Sequence, residues 1–66
     1  MEVLLRNPSR VVSVPGPLDA TSLLGRLGIN RESVLVIVDG TLVTGDTRIP
    51  DGARVELRPV ISGGAG

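Results

Sequence analysis

Sixty-six residues, 41% hydrophobic with no aromatic side chain, no cysteine, no histidine and a formal net charge of zero, describe one small domain with an all-aliphatic core. A chain of this length buries only about 60% of its unfolded surface and here has neither disulfide nor thiolate metal site to staple it. The inventory excludes Cys–His and Ser–His–Asp nucleophile pairs, leaves zinc nothing but carboxylates, and removes base stacking on aromatic rings. All seven cations are arginine (Arg6, Arg10, Arg26, Arg31, Arg48, Arg54, Arg58), interspersed with seven acids, so no basic run marks a nucleic-acid surface. No basic-then-apolar leader opens the sequence, and the longest apolar run, Val34 to Val38, is far short of a membrane span. The expectation is a soluble, cytoplasmic protein that binds neither membrane nor nucleic acid directly and is not itself an enzyme.

Along the chain, Glu2–Arg6 and Arg10–Val14 are short apolar segments separated by Asn7-Pro8-Ser9, which is turn chemistry. They predict an N-terminal β-hairpin with Val3 and Leu5 on one face and Val12 and Val14 on another. Pro15-Gly16-Pro17 ends the second strand, since Pro17 cannot donate to a ladder. In Leu18–Gly28, Ala20, Leu23, Leu24 and Leu27 recur at helical spacing. Asp19 suits the N-cap, and Gly28 suits the position after the last turn, with Ile29 folding back onto the core. Gly25 in the interior costs about 1 kcal/mol relative to alanine.

Val34–Val38 (VLVIV) fits a strand buried on both faces or nearly so. Asp39-Gly40 signals a two-residue hairpin, returning through Thr41–Val43. Thr44–Pro50 is expected to be an irregular connection with Ile49 as a buried plug. Asp51-Gly52 makes a second turn before Arg54–Val60, whose alternation puts Val55 and Leu57 inward. The order β-β-α-β-β-β predicts an α+β fold with one mixed sheet over a single helix.

Three stretches then carry a resemblance: the Asp39-Gly40 hairpin, the segment Ile49-Pro50-Asp51-Gly52-Ala53-Arg54-Val55-Glu56-Leu57, and the ending Val60-Ile61-Ser62-Gly63-Gly64. Together they resemble the ThiS/MoaD family of ubiquitin-like sulfur carriers across essentially the whole chain. Leu5-Arg6 with Pro8 and Arg10, then Leu27-Gly28 with Asn30, Glu32 and Val34, and finally Ile61-Ser62-Gly63-Gly64, look most like the TtuB-type branch that serves 2-thiouridine formation in tRNA. The resemblance implies a β-grasp domain with four to five strands over residues 1–61 and a flexible Gly-Gly arm over residues 62–66.

It also implies a role. An ionised C-terminal carboxylate is a poor electrophile. In the family, an E1-like adenylating enzyme activates the terminal glycine with ATP, and sulfur then displaces AMP to leave a thiocarboxylate for a sulfur-accepting enzyme. No cofactor is bound by the carrier itself; the ATP belongs to the partner. Gly64 is the residue so activated, Gly63 its slim companion and Ser62 an ordinary arm residue. Lacking Cβ, glycine lets the arm thread a narrow channel.

Ala65-Gly66 departs from the family, whose carriers end at the second glycine. While Ala65 is attached, the Gly64 carbonyl is locked in a peptide bond. A trimming peptidase acting between Gly64 and Ala65 would free it; the other readings are activation at Gly66 itself, or two residues foreign to the carrier. The sulfur destination is expected to be tRNA 2-thiolation, with thiamin, molybdopterin or cysteine synthesis as others. A ubiquitin-like protein modifier or a non-reactive β-grasp interaction module is the reading from a different class.

Other features have plainer explanations to set beside functional ones. Asp39-Gly40 and Asp51-Gly52 read as turn chemistry, and Arg6, Arg54 and Arg58 as solvated strand positions. Arg58, Val60 and Ile61 form a candidate partner contact at the root of the arm, where rim charges steer encounter. Leu4, Leu35, Ile37 and Val60 either complete the core or form an exposed apolar patch. With no lysine present, only the N-terminal amine is available for chain formation of the ubiquitin kind.

Overall fold

The computed structural model describes residues 1–6 and 9–60; Asn7-Pro8 of the expected first turn and residues 61–66 lie outside them. In chain order the elements are β1 (Glu2–Leu5), β2 (Arg10–Ser13), β3 (Leu18–Asp19), α1 (Ala20–Leu27), a 3-10 turn (Arg31–Ser33), β4 (Val34–Val38), β5 (Thr41–Val43), β6 (Arg48–Ile49) and β7 (Arg54–Pro59). Five strands form a mixed sheet in the order β2-β1-β7-β4-β5, and β3 with β6 make a separate two-stranded piece. The first and last strands lie parallel at the centre, with Val3 opposite Val55 and Leu5 opposite Leu57. One helix covers one face. This is the β-grasp arrangement expected from the sequence.

The core is entirely aliphatic. Val3, Leu23, Ile49, Val55 and Leu57 are its largest fully buried side chains, and among the described residues no polar or charged residue is buried. Each such side chain contributes roughly 1.5–3 kcal/mol by leaving water, and here no other staple assists. The α1 stripe falls as its spacing requires: Ala20, Leu23 and Leu24 are buried and Leu27 packs against them.

Both ends of α1 are closed by backbone groups. Gly28 takes φ +72, the left-handed conformation that suits glycine, while its N–H donates to the Gly25 carbonyl and that of Ile29 to the Leu24 carbonyl, 2.9 Å away. At the other end Asp19 occupies the N-cap position with extended backbone, but its side chain makes no cap hydrogen bond. The loop before β6 satisfies those donors instead: the Ala20 N–H reaches the Thr47 carbonyl and the Thr21 N–H the Gly45 carbonyl, both at 2.9 Å.

Three expectations are corrected. Val12 lies directly opposite Val3 in the β1–β2 ladder, so Val3, Leu5, Val12 and Val14 share one face rather than dividing between two. The Val34–Val38 run is not buried on both sides: Val36 is buried but Leu35 is 44% exposed, because the single helix covers one face only. The Thr44–Pro50 connection is not wholly irregular, since Arg48–Ile49 pairs with Leu18–Asp19 and thereby holds Ile49 in the core.

The aspartates of the two turns sit in turns as expected and also reach beyond them. Asp39 and Gly40 both take positive φ, as a two-residue hairpin demands. Asp39 also accepts from the Arg54 N–H at 3.1 Å and donates its own N–H to the Arg54 carbonyl at 2.9 Å, joining the hairpin to β7. Asp51 accepts from the Gly16 N–H at 2.8 Å and lies 3.6 Å from the Met1 nitrogen. A Cβ on Gly16 would stand 2.6 Å from Met1 Cε and 3.1 Å from Asp51 Cα, so the loop can approach only as glycine.

Candidate functional site

β7 delivers the chain to its exit. Pro59 pairs with Val34 at the start of β4, and the Val60 N–H donates to the Ser33 carbonyl at 2.8 Å. That carbonyl is presented by the 3-10 turn, which is fixed in turn by Asn30 accepting from the Glu32 N–H at 3.0 Å. The root of the arm is therefore tied to the sheet as far as Val60. Ile61, Ser62, Gly63, Gly64 and Ala65, which carry the expected arm, activation and processing positions, lie outside the described residues.

Beside this exit is the uncovered face of the sheet. Because side chains alternate along a strand, the residues between the core positions point there. Ladder register places Val11, Leu4, Glu56, Ile37 and Leu42 in one row across all five strands. Leu42 is 62% and Val11 61% exposed. The next row toward the exit pairs Leu35 with Arg58, followed by Val60 at 41% exposure. None of Leu4, Leu35, Ile37 or Val60 belongs to the buried core. The apolar-patch alternative is thus the one realised. A shallow depression on this face is lined by Leu4, Ile37, Gly40, Gly52, Arg54 and Glu56.

Glu56, at the centre of the row, organises the charges. Its Oε2 accepts from Arg58 Nε and from Arg6 Nη2, both at 2.9 Å. Hydrogen bonds from Arg58 first and Arg6 second hold this carboxyl below its ordinary value. Arg6 and Arg58 are accordingly ion-paired rather than merely solvated, whereas Arg54 lies 3.8 Å from Glu2 and is largely exposed. Glu56 was not among the residues the sequence singles out. Its signal was present, since inward Val55 and Leu57 force Glu56 outward between Arg54 and Arg58.

The Met1 side chain is buried, and the Met1 nitrogen donates to the Val14 carbonyl at 2.6 Å. Among the described residues no group of His, Cys, Asp or Glu could hold a metal ion, and no helix is long and apolar enough to cross a membrane.

The family model for the ThiS family matches residues 4–64. The chain belongs to the ThiS family. ThiS-family proteins are small sulfur carriers, not enzymes, and the family works with an E1-like adenylating partner and a sulfur-accepting enzyme. The match runs through Gly63-Gly64 and stops before Ala65-Gly66. Among solved structures, the fold is similar to the solution NMR structure of a thiamine biosynthesis protein from Geobacter metallireducens. The two share 25% sequence identity with a TM-score of 0.60, over 97% of this chain and 88% of that one.

Proposed function

We propose that this ThiS-family chain carries sulfur as a thiocarboxylate on Gly64, with tRNA 2-thiolation as its destination. The observation that carries the reading is the family match over residues 4–64, which closes on the Gly63-Gly64 pair. The freed Gly64 carboxylate attacks the α-phosphorus of the partner's ATP and expels pyrophosphate; a sulfide-level sulfur nucleophile then attacks the acyl carbonyl, the acyl–phosphate C–O bond breaks, and AMP leaves. Chemistry at that carbon belongs to the activating enzyme. This chain contributes docking, reach and a slim tip.

Docking falls to the uncovered face. Leu4, Ile37 and Leu35 supply apolar contact area, and Arg6 and Arg58, bracketed by Glu56, supply a charged border next to the exit. A surface of this kind gives affinity at its centre and orientation at its rim. Val60, at the root of the arm, adds to the same contact. Reach follows from chain geometry: the four residues Ile61 to Gly64 extend at most about 14 Å past Val60. A glycine tip at that distance enters a catalytic cleft while the domain stays outside.

Ala65-Gly66 make the 66-residue chain a precursor, and a peptidase that hydrolyses the Gly64–Ala65 bond arms it. The test compares the full chain with the chain ending at Gly64, each incubated with the activating enzyme, ATP and a sulfur source. Mass spectrometry reads the exchange of one carboxyl oxygen for sulfur. The shortened chain gains the thiocarboxylate and the full chain does so only after trimming. No thiocarboxylate on the shortened chain defeats the sulfur-carrier reading, and one formed on intact Gly66 defeats trimming. Replacing Gly64 by Leu abolishes the product and leaves the circular dichroism spectrum unchanged.

A second destination has an observation behind it, since the similar Geobacter structure is of a thiamine biosynthesis protein. Offering the thiocarboxylate in parallel to a tRNA thiolase and to a thiazole-forming synthase distinguishes the two by which enzyme consumes it.

A further inference from the structure

The last tie between the sheet and the arm is one hydrogen bond, and the register shows why it stands alone. The Val60 N–H donates to the Ser33 carbonyl at 2.8 Å, which continues the β4–β7 ladder one residue beyond the Val34–Pro59 pair. Antiparallel partners alternate between pairs that exchange two hydrogen bonds and pairs that exchange none. Leu35 with Arg58 is therefore the next bonded pair inward. Val34 with Pro59 lies between as an unbonded pair, which suits a residue that has no N–H. Ser33 returns no bond to Val60, because its own N–H is committed to the Asn30 carbonyl at 2.9 Å.

Asn30 holds that acceptor in place with both of its oxygens. Its carbonyl takes the Ser33 N–H, and its side-chain oxygen takes the Glu32 N–H at 3.0 Å, closing the 3-10 turn that presents the Ser33 carbonyl. The residue is exposed and its backbone is extended at φ −72, ψ 126, so neither burial nor a special conformation calls for asparagine here. Its side chain aims one carbonyl at one N–H. If that bond opens, the chain is next tied at Arg58. The span to Gly64 then grows from four residues to six, from at most about 14 Å to at most about 21 Å.

We propose that the Val60–Ser33 hydrogen bond sets the reach of Gly64 and that Asn30 is its positioning residue. This rests on the activation of Gly64 proposed above. A domain docked through its open face holds Val60 at a fixed distance from the partner's ATP, and a Gly64 carboxylate oxygen must arrive in line with the α-phosphorus to expel pyrophosphate. A span matched to that distance keeps the carboxylate at high effective concentration, and a longer one dilutes it. The bond alters neither the docking side chains nor the carboxylate. Its loss therefore falls on turnover and not on binding.

Two measurements test this. In the first, amide hydrogen exchange is followed by NMR in the 66-residue chain, with the Arg58 amide of the next bonded pair as reference. Asn30→Ala should speed exchange at Val60 by at least about threefold while Arg58 keeps its native rate. Asn30→Asp, which keeps an acceptor, should match the native chain. Equal acceleration at both amides would make Asn30 a general stabiliser, and no acceleration at Val60 would separate the turn from the arm; either overturns the proposal. In the second, chains ending at Gly64 are assayed for thiocarboxylate formation with the activating enzyme, ATP and a sulfur source. One is made synthetically with an ester in place of the Pro59–Val60 amide, which removes the Val60 N–H and leaves every side chain. Its kcat should fall at least about fivefold with KM within about twofold of native, and Asn30→Ala should lie between. A native kcat from the ester chain, or a loss confined to KM, overturns the positioning role. No product from the native chain defeats the activation of Gly64 and this role with it, whereas equal product from the native and ester chains defeats this role alone.

Discussion

The two faces of the sheet are written by the same strands in alternate residues, yet they follow different rules. Toward α1, Val3, Val55 and Leu57 are fully buried among Leu23 and Ile49, with no polar or charged residue among the buried ones described. On the other side Val11, Leu4, Ile37 and Leu42 form an apolar row interrupted only by Glu56. A solvated sheet face needs polar residues and gains nothing in the isolated domain from exposing leucine. The first face is therefore explained by folding alone, and the second is the one proposed above for docking.

Substitutions that separate the faces should separate stability from activation. Leu57→Ala on the buried side is expected to cost about 2–5 kcal/mol, most or all of the stability of so small a domain. Urea titration checks it, and a midpoint near that of the native sequence would place the core elsewhere. Ile37→Arg on the open side is expected to change stability by no more than about 1 kcal/mol. Its effect on activation should be a loss of at least about tenfold, read as the ATP- and sulfur-dependent formation of thiocarboxylate on the chain ending at Gly64. Arginine is chosen because Glu56 stands directly opposite Ile37 in the ladder, so the new charge faces a carboxylate. If the variant is activated as well as the native chain, the open face is not the docking surface.

The same contrast explains what the sequence could and could not reveal. Helical spacing in α1, the alternation in Arg54–Pro59 and the Asp39-Gly40 turn are local signals, and all three are found where they were expected. A continuous run such as Val34–Val38 carries no period, so it cannot say which of its residues faces the helix. The Arg6–Glu56 contact joins residues 50 positions apart and exists only because β1 and β7 pair in parallel. Nor does local chemistry reveal that Asp51 reaches across to Gly16, since the aspartate is equally suited to the turn in which it sits. The candidate site was legible in its arm residues through the family pattern, while its docking face needed the register.

A smaller gain is expected from the helix side, away from the docking face. Gly25 is exposed in α1, and a Cβ built there meets nothing within 4 Å. Gly25→Ala should stabilise the domain by about 1 kcal/mol by lowering the backbone entropy of the unfolded chain. Activation should be unchanged, because the substitution lies on the covered side. A midpoint that fails to rise would show that the folded helix gains nothing from alanine at this position.

The smallest effect belongs to Glu56, the one charged residue in the open row. Its folded pKa is depressed by Arg58 and Arg6, so the ionised form is favoured in the folded state. A depressed carboxyl contributes stability that is complete above its unfolded value, about 4.3, and is lost as pH falls through the folded value. Glu56→Gln should therefore melt slightly below the native sequence at pH 7. The gap should stay level down to about pH 5, narrow below about 4.3, and close once the native carboxyl is protonated in both states. Asp51 is also depressed, by the Gly16 N–H first and the N-terminal charge second, but it titrates in both proteins and cancels from the difference. Added salt should narrow the gap at neutral pH, because the pairs are partly exposed and screened. A gap that persists at pH 2 would mean that Glu56 acts through packing of its methylenes rather than through its charge, and the arginines at the exit would then be held by something other than this carboxylate.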